Sequence, residues 1–567
     1  MFKFRILSRI FLLFLICSAS LIKAQTFEWG RIFGGVQTDA ALRLAAPELG
    51  GIIVAGNFNV SMEIGGQTVV ARGFQDAYVA CFNDAAQLLW VSVLGGPGTD
   101  QVSAICLDFE GNVWISGRFT GKIDVNPGID STFVLSQPAN GLDGFLVKLN
   151  AGDGSLLDYK DISAGGVMDI RSIKPDALTQ SVFMGGQYSG TVDFDFGPTA
   201  QQRSSTVNSG DAFVGKYSSA LDFGWINTFG SSTPVIDFVS SVGFDSQGSV
   251  YCTGLLGGTA DIDAGIGVTN LTCATDAYLI KYSKSTGALQ WGFNLGGNSL
   301  ENGTHILVTP EDEIVLAGTM SSPTFDADPG FASYPLNSNG ISSAPFVIRY
   351  MPSGQLVSGF VISGTAGTTI SLGALQVSMN NNVLVAGSYT GTLNWLDANG
   401  QSNAFSSGDS SDAFITELDG LNQYLQIKRI TGSGNQTLAD VMVKGSIMYA
   451  CGQLDGPTLP EQDAPIVLEP TNTSNQAYVL RYNEDPTSFA MASSAEKEVY
   501  VYPNPATNII NVGLKDISAL ELYAFDGRCV QRSACSSMNV SGLPFGVYYL
   551  RCKTPSGTRI TRVVLGI

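Results

Sequence analysis

The motif Asp76-Ala77-Tyr78-Val79 recurs in close variants along almost the whole chain of 567 residues. Each variant places an aromatic residue inside a short apolar run, usually after an aspartate. The other six copies begin at Asp143, Asp211, Asp276, Ala344, Asp412 and Gln476. Successive copies are 67, 68, 65, 68, 68 and 64 residues apart. Self-similarity at such a period is the signature of a repeat architecture.

A second, independent motif has the same count and nearly the same period. It is a short apolar run closed by glycine, as in Val54-Ala55-Gly56 and Ile115-Ser116-Gly117. The seven closing glycines are Gly56, Gly117, Gly185, Gly254, Gly318, Gly387 and Gly452. Because two unrelated motifs agree, the sequence predicts seven structural units between residues 25 and 485.

Each unit predicts four short strands. The first ends in a turn such as residues 108–112, where Asp108 and Gly111 suit a tight turn, and the second follows at once. The third carries the recurring motif, and a turn such as residues 285–287 leads to the fourth. The fourth strand is centred on an aromatic residue, which we expect to pack between units: Trp90, Tyr159, Trp225, Trp291, Phe360 and Tyr424.

This pattern predicts an all-β fold, because no helical periodicity is sustained over ten residues. Four strands per unit indicate a seven-bladed β-propeller, with a β-solenoid as the alternative, although solenoid coils are much shorter than these units. The seventh unit lacks a fourth strand after Tyr482. Residues 27–33, with Trp29 at their centre, are predicted to supply it, so that an N-terminal strand closes the last blade.

The repeats resemble the β-propeller repeats common in exported proteins of Bacteroidetes-type bacteria. The resemblance rests on the recurring Asp-Ala-Phe-Val motif, on Gly-Asn-Val-Trp at residues 111–114, and on Gly-x-x-Asp-x-Asp-x-Gly in the loops. It implies the fold over residues 25 to 482. It implies no activity, because propellers host unrelated functions.

The N-terminal residues 1–24 have the plan of a Sec signal peptide. Lys3, Arg5 and Arg9 precede the short apolar run Ile10–Ile16. Small residues then lead to a cleavage site after Ala24. The alternative is a membrane anchor, but the run is shorter than the roughly 20 apolar residues that span a bilayer. We therefore expect a secreted chain that is not an integral membrane protein.

The chain is strongly acidic. It has 30 Lys and Arg against 49 Asp and Glu, a net charge of −19, and removing residues 1–24 leaves 26 against 49, or −23. Such a surface repels phosphate backbones, so no nucleic-acid partner is expected. Cations are the natural counterpart.

The C-terminal residues 499–567 follow a small polar stretch, residues 486–498, that is predicted to be a linker. Alternating apolar residues and Asp-Gly and Ser-Gly turns predict a small immunoglobulin-like β-sandwich. Three motifs stand in order: Tyr-Pro-Asn-Pro from Tyr502, Asp-Gly-Arg from Asp526, and Leu-Pro-x-Gly-Val-Tyr-Tyr-Leu from Leu543.

These motifs resemble the type A sorting domain of the type IX secretion system (Por). The resemblance covers essentially the whole segment 499–567. It implies recognition by the outer-membrane translocon, followed by removal of the domain or attachment of the protein to surface lipopolysaccharide. The protein is then expected in the medium or on the outer cell surface.

Spaced aspartates begin several loops between the second and third strands of a unit. Alternate oxygen ligands before a glycine turn suit a hard cation, so the sequence predicts Ca²⁺ as a candidate ligand. The alternative is that these carboxylates accept backbone N–H groups in Asx turns. The candidate residues are Asp124, Asp193, Asp195, Asp261, Asp263, Asp326 and Asp328.

Histidine and cysteine restrict the chemistry further. His305 is the only histidine, which excludes Ser-His-Asp and Cys-His catalysis and any multi-histidine metal site. The cysteines have no CxxC pair. They are expected either as buried thiols on strands, namely Cys81, Cys106, Cys252 and Cys451, or as partners in disulfides, for which Cys529, Cys535 and Cys552 are close in sequence.

Three hypotheses for function remain from the sequence. The first is a non-enzymatic surface module that binds a glycan, a matrix polymer or a protein. The second is a glycan hydrolase or lyase that uses carboxylates at one mouth of the propeller. The third is a scaffold that only displays loops. No catalytic residue and no certain cofactor is predicted.

Overall fold

A computed structural model describes most of the chain. The described residues are 25–48, 50–126, 134–136, 142–162, 167–206, 210–233, 235–330, 332–378, 380–396, 402–461, 466–484, 501–502, 506–512, 517, 519–523, 529–533, 535–544, 546–554 and 557–565. The predicted signal peptide, 1–24, and the predicted linker, 486–498, lie outside them.

The chain divides into two compact units, Met1–Pro486 and Thr487–Ile567. Over the described residues both units are built from β-strands joined by turns and loops, and neither contains a helix. No helix that could cross a membrane is therefore present in the described part of the chain. The predicted all-β class is confirmed.

The described residues of the first unit form forty strands. Up to residue 229 they are β1 (Gln25–Phe33), β2 (Ala40–Ala45), β3 (Ile52–Phe58), β4 (Ser61–Ile64), β5 (Gln67–Val70), β6 (Asp76–Phe82), β7 (Leu88–Leu94), β8 (Asp100–Leu107), β9 (Val113–Phe119), β10 (Lys122–Asp124), β11 (Val134–Ser136), β12 (Asp143–Leu149), β13 (Leu156–Ile162), β14 (Met168–Asp176), β15 (Ser181–Tyr188), β16 (Thr191–Asp193), β17 (Gln202–Ser204), β18 (Asp211–Ser218) and β19 (Phe223–Phe229).

The remaining strands of this unit are β20 (Phe238–Phe244), β21 (Ser249–Asp261), β22 (Asn270–Ser283), β23 (Leu289–Leu295), β24 (Glu301–Val308), β25 (Ile314–Met320), β26 (Thr324–Asp326), β27 (Pro335–Asn337), β28 (Ala344–Tyr350), β29 (Leu356–Val361), β30 (Ser363–Gly364), β31 (Thr369–Val377), β32 (Val383–Thr390), β33 (Thr392–Leu396), β34 (Ser402–Ser406), β35 (Asp412–Leu418), β36 (Tyr424–Gly432), β37 (Gln436–Lys444), β38 (Ile447–Leu454), β39 (Thr458–Leu459) and β40 (Gln476–Glu484).

These strands form seven main antiparallel sheets, one for each predicted repeat. In strand order they are sheet 1 (β2-β3-β6-β7), sheet 2 (β8-β9-β12-β13), sheet 3 (β14-β15-β18-β19), sheet 4 (β20-β21-β22-β23), sheet 5 (β24-β25-β28-β29), sheet 6 (β31-β32-β35-β36) and sheet 7 (β37-β38-β40-β1). The short strand β39 extends sheet 6 beyond β36.

The N-terminal strand β1 completes sheet 7, as the sequence predicts. It pairs antiparallel with β40, so that Phe27 lies opposite Tyr482 and Ile32 opposite Tyr478. The rings of Phe27 and Tyr482 meet edge to face at 5.9 Å between centroids. The pairing joins residues more than 440 positions apart in the chain.

The first strand of each sheet contacts the first strands of its neighbours. The contacts run from β2 through β8, β14, β20, β24 and β31 to β37, and β37 in turn contacts β2. Consecutive sheets therefore pack side by side, and the last packs against the first. The buried apolar side chains fill the spaces between sheets, as in the cluster that joins sheets 1 and 2 around Val79 and Ile115.

Each first strand contains a β-bulge at the same place. In all seven sheets the register between the first and second strands shifts by one residue directly after the first-strand residue that pairs with a glycine of the second strand. The residues that follow the shift are Arg43, Ala104, Ser172, Ser241, His305, Ala374 and Asp440. A bulge reverses the alternation of side chains and strengthens the local twist.

Loops between the second and third strands carry small hairpins. They pair β4 with β5, β10 with β11, β16 with β17, β26 with β27 and β33 with β34. In sheet 4 the hairpin is continuous with β21 and β22, with a register shift between Gly257 and Gly258. The spaced aspartates lie in several of these hairpins.

The second unit contains two antiparallel sheets around one apolar core, which includes Ile510, Leu522 and Leu550. Its strands are β41 (Val501–Tyr502), β42 (Ile509–Val512), β43 (Ala519–Tyr523), β44 (Cys529–Ser533), β45 (Ser537–Asn539), β46 (Gly546–Thr554) and β47 (Gly557–Leu565). The sheet orders are β41-β42-β45 and β44-β43-β46-β47.

The cysteines of the repeat strands are buried thiols, which confirms one of the two expectations. Cys81, Cys106, Cys252 and Cys451 are buried and free. Cys535, which is exposed, and Cys552, which is buried, are also free. Burial raises the pKa of Cys106 to about 12, so this thiol stays protonated and chemically inert at neutral pH.

Candidate functional site

The spaced aspartates of three loops make the same hydrogen bonds. In each loop Oδ1 of the first aspartate accepts two backbone N–H groups, one from the second aspartate and one from across the loop. Asp193 accepts from Asp195 (3.1 Å) and Gln201 (2.8 Å), Asp261 from Asp263 (3.1 Å) and Thr269 (2.9 Å), and Asp326 from Asp328 (3.0 Å) and Tyr334 (2.7 Å). The bond from Tyr334 is the main reason why the pKa of Asp326 lies below its usual value.

The second aspartate of each pair closes a turn onto the following glycine. Oδ1 of Asp195, Asp263 and Asp328 accepts the N–H of Gly197, Gly265 and Gly330 at 2.8 to 2.9 Å. In the corresponding loop of sheet 2, Asp124 accepts the N–H of Asn126 and forms an ion pair with Arg72 at 2.8 Å. The carboxylates therefore make the bonds of Asx turns.

The residue between the two aspartates points inward. Phe194, Ile262 and Ala327 are buried, and their carbonyl oxygens accept hydrogen bonds from the hydroxyls of Tyr217, Tyr282 and Tyr350. Each of these tyrosines lies near the end of the third strand of its sheet. The Asp-x-Asp motif thus holds the hairpin to the sheet.

No group of three or more His, Cys, Asp or Glu side chains with the spacing of a metal site occurs among the described residues. The predicted calcium ligands Asp124, Asp193, Asp195, Asp261, Asp263, Asp326 and Asp328 lie in separate loops, at most two to a loop. Calcium binding at these loops stays a prediction.

Fourth-strand aromatics pack against the following repeat. The indole Nε1 of Trp90 donates to the carbonyl of Ala151, and that of Trp225 donates to the carbonyl of Lys284. A Cβ on Gly154 or Gly287 would lie within 3 Å of the corresponding indole ring. The predicted packing of these two tryptophans between units is confirmed.

Trp291 differs because its neighbourhood remains open. A groove of about 470 Å³ lies between the fourth strand of sheet 4 and two loops of sheet 5. Its apolar side is formed by Trp291 and Phe293, whose rings stack with centroids 5.4 Å apart and an angle of 9° between planes. Both side chains are half-buried.

The other side of the groove is polar. It is formed by Asp328, Pro329 and Gly330 from one loop of sheet 5 and by Ser353, Gly354 and Gln355 from the turn before β29. Ser353 and Gln355 are exposed, and Asp328 is half-buried. The groove therefore combines an aromatic face with a carboxylate, a hydroxyl and an amide.

A second cavity, of about 180 Å³, is lined by the first strands of all seven sheets. We call it the central cavity. Each strand contributes at least one residue at or next to its bulge, for example Arg43, Ile105, Arg171, Ser240, His305, Gly373 and Asp440. The lining is mainly backbone and polar side chains.

Hydrogen bonds fix several side chains of this lining. Arg43 donates from Nε to the carbonyl of Ser103 (3.0 Å) and from Nη1 to the carbonyl of Leu42 (2.8 Å). Oδ2 of Asp440 accepts the N–H of Leu44 at 2.9 Å. Burial raises the pKa of Asp440, while the charges of Arg43 and Lys174 act in the opposite direction.

His305 lies on β24, and its side chain lines the central cavity. Its Nε2 lies 3.0 Å from the carbonyl oxygen of Gly373, and its Nδ1 lies 2.9 Å from the hydroxyl of Thr304. Burial, followed by the charge of Arg43, lowers the pKa of His305 to about 4. The ring is therefore neutral at neutral pH, with Nε2 donating to Gly373 and Nδ1 accepting from Thr304.

The C-terminal segment is similar to a known family of sorting domains. Residues 500–566 match the secretion system C-terminal sorting domain, Por_Secre_tail. The chain carries a type IX sorting tail. This tail indicates a secreted or cell-surface cargo, implies recognition by the type IX secretion machinery, and confirms the resemblance carried by the motifs at Tyr502, Asp526 and Leu543.

Solved structures give only distant similarities. The chain is similar to Raptor of Chaetomium thermophilum, with 8% identity and a TM-score of 0.38 over 81% of this chain, but it spans only 29% of that protein. A protein of unknown function from Dyadobacter fermentans has 9% identity and a TM-score of 0.35, with 82% of this chain and 100% of that chain covered.

The V. cholerae biofilm matrix protein Bap1 has 9% identity and a TM-score of 0.27, with 80% of this chain and 90% of that chain covered. With TM-scores this low, these similarities assign neither a fold nor a function. No curated protein matches the chain.

Two features of the site were not predicted from the sequence. The groove needs residues of two repeats, and the central cavity needs residues of seven. Trp291 stands in the sequence as a fourth-strand aromatic and Asp328 as a loop acid, but nothing local connects them. Arg43 and Lys174 belong to no motif that marks a site, and the structure places them in the first strands β2 and β14.

Proposed function

We propose that the first unit is a seven-bladed β-propeller that an N-terminal strand closes. Two observations support this architecture. The first strands contact one another in chain order and the last contacts the first, and residues from all seven line one cavity. A circular arrangement leaves no sheet without a neighbour on either side, which is how propellers protect their strand edges.

We propose that the chain is exported in two steps. A Sec signal peptide, residues 1–24, would lead it across the inner membrane, and the sorting tail would then engage the type IX translocon. The tail supports the second step. A Bacteroidetes-type origin fits both the repeats and the tail.

The exported unit functions, in this proposal, as a non-enzymatic binding module for a neutral glycan. The groove at Trp291 carries the argument. Sugar rings have an apolar C–H face that packs on aromatic rings and a rim of hydroxyls that needs hydrogen-bond partners. Trp291 and Phe293 supply the apolar surface, and Asp328, Ser353 and Gln355 supply donors and acceptors.

The size and the charge of the groove favour one class of glycan. A volume of about 470 Å³ lies within the range of small-ligand sites, roughly 300 to 1,000 Å³. Among the described residues that line the groove, Asp328 is the only charged one, on a chain whose net charge is −19. Neutral sugars are therefore favoured over uronates and sulfated sugars.

A carboxylate-dependent hydrolase or lyase receives no comparable support. A retaining glycosidase uses two carboxyl groups about 5 Å apart, and an inverting one uses two groups about 6.5 to 9.5 Å apart. The groove has Asp328 as its one acid, and the described lining of the central cavity has Asp440 as its one acid.

A glycan array tests the proposal with the full chain and two variants. Gln355→Ala removes an exposed amide from the groove and should weaken binding to the array hits at least about fivefold, which corresponds to the loss of about one hydrogen bond. Asp328→Asn keeps an oxygen that can accept the N–H of Gly330 but removes the charge, and it should also weaken binding.

Gln423→Ala is the matched control. Gln423 is exposed and occupies the same place in the corresponding turn of sheet 6, because its carbonyl accepts the N–H of Asp419 as that of Gln355 accepts the N–H of Met351. The control should bind as the unaltered chain does. No hits on the array, or hits that all three variants retain in full, would contradict the proposal.

A further inference from the structure

The central cavity differs in charge from the rest of the molecule. The chain as a whole carries 19 more acidic than basic residues. Four charged side chains line the cavity, and three of them are basic: Arg43, Arg171, Lys174 and Asp440. His305 adds no charge at neutral pH, because burial lowers its pKa to about 4.

Two of the three basic groups are compensated. Nε of Arg171 lies 3.1 Å from Oδ2 of Asp169, and its Nη2 donates to Gln187 at 3.0 Å. Asp440 is the one acid in the described lining, and the charge of Arg43 lowers its pKa more than the charge of Lys174 does. Asp169 thus pairs with Arg171, and Asp440 interacts mainly with Arg43.

Lys174 is the least compensated of the three basic groups. Its side chain is exposed to the cavity, and its ammonium group makes no hydrogen bond or ion pair with any residue that the structure describes. Its charge nevertheless reaches the cavity, since it contributes to lowering the pKa of His305. Nη2 of Arg43 also has no partner within the described part of the chain.

The surroundings suit a small anion. An ammonium and a guanidinium with free N–H groups are the donors that oxyanions take, and Ser240 offers a hydroxyl in the same lining. A cavity of about 180 Å³, lined by the first strands of all seven sheets, admits a small ion and is too small for a polymer. An anion here is also less screened by solvent than one at an open surface.

We propose that the central cavity binds a small oxyanion, inorganic phosphate or a short carboxylate, through Lys174 and the free guanidinium edge of Arg43. This site is separate from the groove at Trp291 and does not rest on glycan binding. The anion would neutralise the least compensated charge and would connect strands from sheets 1 and 3 across the cavity.

Calorimetry with the full chain tests the proposal. Inorganic phosphate and malonate are titrated at about pH 7.5 and at constant ionic strength, with sodium chloride as the compensating salt. We expect saturable binding of one anion per chain and a higher Tm at saturation. Binding of phosphate alone or malonate alone identifies the class of oxyanion, and binding of neither overturns the proposal.

Variants locate the site. Lys174→Gln should weaken anion binding at least about tenfold, while Lys174→Arg should retain it. Lys122→Gln, which removes an exposed lysine from the hairpin strand β10, is the matched control and should bind normally. Asp440→Asn should strengthen binding several-fold, because it removes the one acid of the lining. Equal binding by Lys174→Gln and the unaltered chain contradicts the proposal.

The only histidine provides a second, spectroscopic measurement. In a chain labelled with ¹³C-histidine, His305 gives one imidazole signal whose pH titration reports the charge around it. A bound anion should raise the pKa of His305 from about 4 by about one unit or more. A titration that saturating phosphate and malonate leave unchanged, together with no saturable heat, excludes anion binding in the cavity.

Discussion

The first strands of the seven sheets and the hairpin loops repeat in opposite ways. The first strands keep the same backbone, with a bulge at one position, but carry different side chains there, from Arg43 to His305 and Asp440. Three hairpin loops keep the same side chains, Asp-x-Asp, and make the same hydrogen bonds to their own backbone. A repeated side chain thus serves the fold, whereas a varied side chain on a repeated backbone is available for a ligand.

The largest effect is expected from removing the strand that completes sheet 7. Deleting residues 25–34 exposes the edge of β40 and removes the packing of Phe27 on Tyr482 and of Phe33 on Tyr78. Because the first strands hold their positions only when every sheet has both neighbours, we expect a loss of more than about 4 kcal/mol in the free energy of unfolding. Urea denaturation measures this loss. A loss below about 1 kcal/mol would show that the first unit does not depend on β1 for its stability.

A pair of glycine variants serves as a milder version of the same experiment. A Cβ at Gly30 would lie 2.9 Å from the side chain of Leu480, so Gly30→Ala should cost about 1 to 3 kcal/mol. Gly420 has no atom within 4 Å of its Cβ position, so Gly420→Ala should be close to neutral. Similar values for the two variants would contradict tight packing of β1.

An intermediate effect is expected from pH, because buried acids begin several strands. Burial raises the pKa of Asp100 to about 7 and the pKa values of Asp39 and Asp412 to about 6, against 3.8 for a free aspartate. The folded chain therefore binds more protons than the unfolded chain between about pH 4 and pH 7, so stability falls as pH rises through this window. His305 acts in the opposite direction between about pH 4 and 6.5, but it is one group against three.

Thermal unfolding at two pH values should show this loss of stability with rising pH. We expect a higher Tm at about pH 5 than at about pH 8, and a smaller difference in Asp100→Asn. Asp158→Asn, which changes an acid paired with Lys160 at the surface, is the control and should keep the full difference. A Tm that rises from pH 5 to pH 8 would show that these carboxyls are ionised in the folded chain.

The smallest effect is expected at the hairpin loops. Asp261→Ala removes the acceptor of two backbone N–H groups and should cost about 1 to 2 kcal/mol, whereas Asp261→Asn keeps an acceptor and should cost less. Unfolding is measured with and without Ca²⁺. A rise in Tm with Ca²⁺ that Asp261→Asn abolishes would establish the cation alternative and would show that a repeated side chain can also serve a ligand.

Much of the architecture is predictable from the sequence, because each repeat is a local unit. The turn at Asp108 forms as predicted, with Oδ1 accepting the N–H groups of Glu110 and Asn112. The pairing of β1 with β40 is predictable because the last repeat lacks a strand and the first residues supply one. Turn residues and strand patterns operate over a few positions, which a single sequence displays.

The candidate sites are not predictable in this way. A bulge shifts the alternation of side chains by one residue, so the sequence pattern of β2 or β14 does not tell whether Arg43 or Lys174 faces the cavity. The groove brings Trp291 of sheet 4 next to Asp328 and Gln355 of sheet 5, and this depends on how neighbouring sheets pack. How far the charge of Lys174 is compensated depends on the distances between charged side chains on different first strands.

The proposed function depends on sugar binding in the groove at Trp291. A crystal structure of the full chain with an oligosaccharide from the glycan array tests it most directly. We expect a sugar ring packed on Trp291 and Phe293, with its hydroxyls within hydrogen-bond distance of Asp328 and Gln355. A sugar bound elsewhere on the chain, with the groove empty, would contradict it.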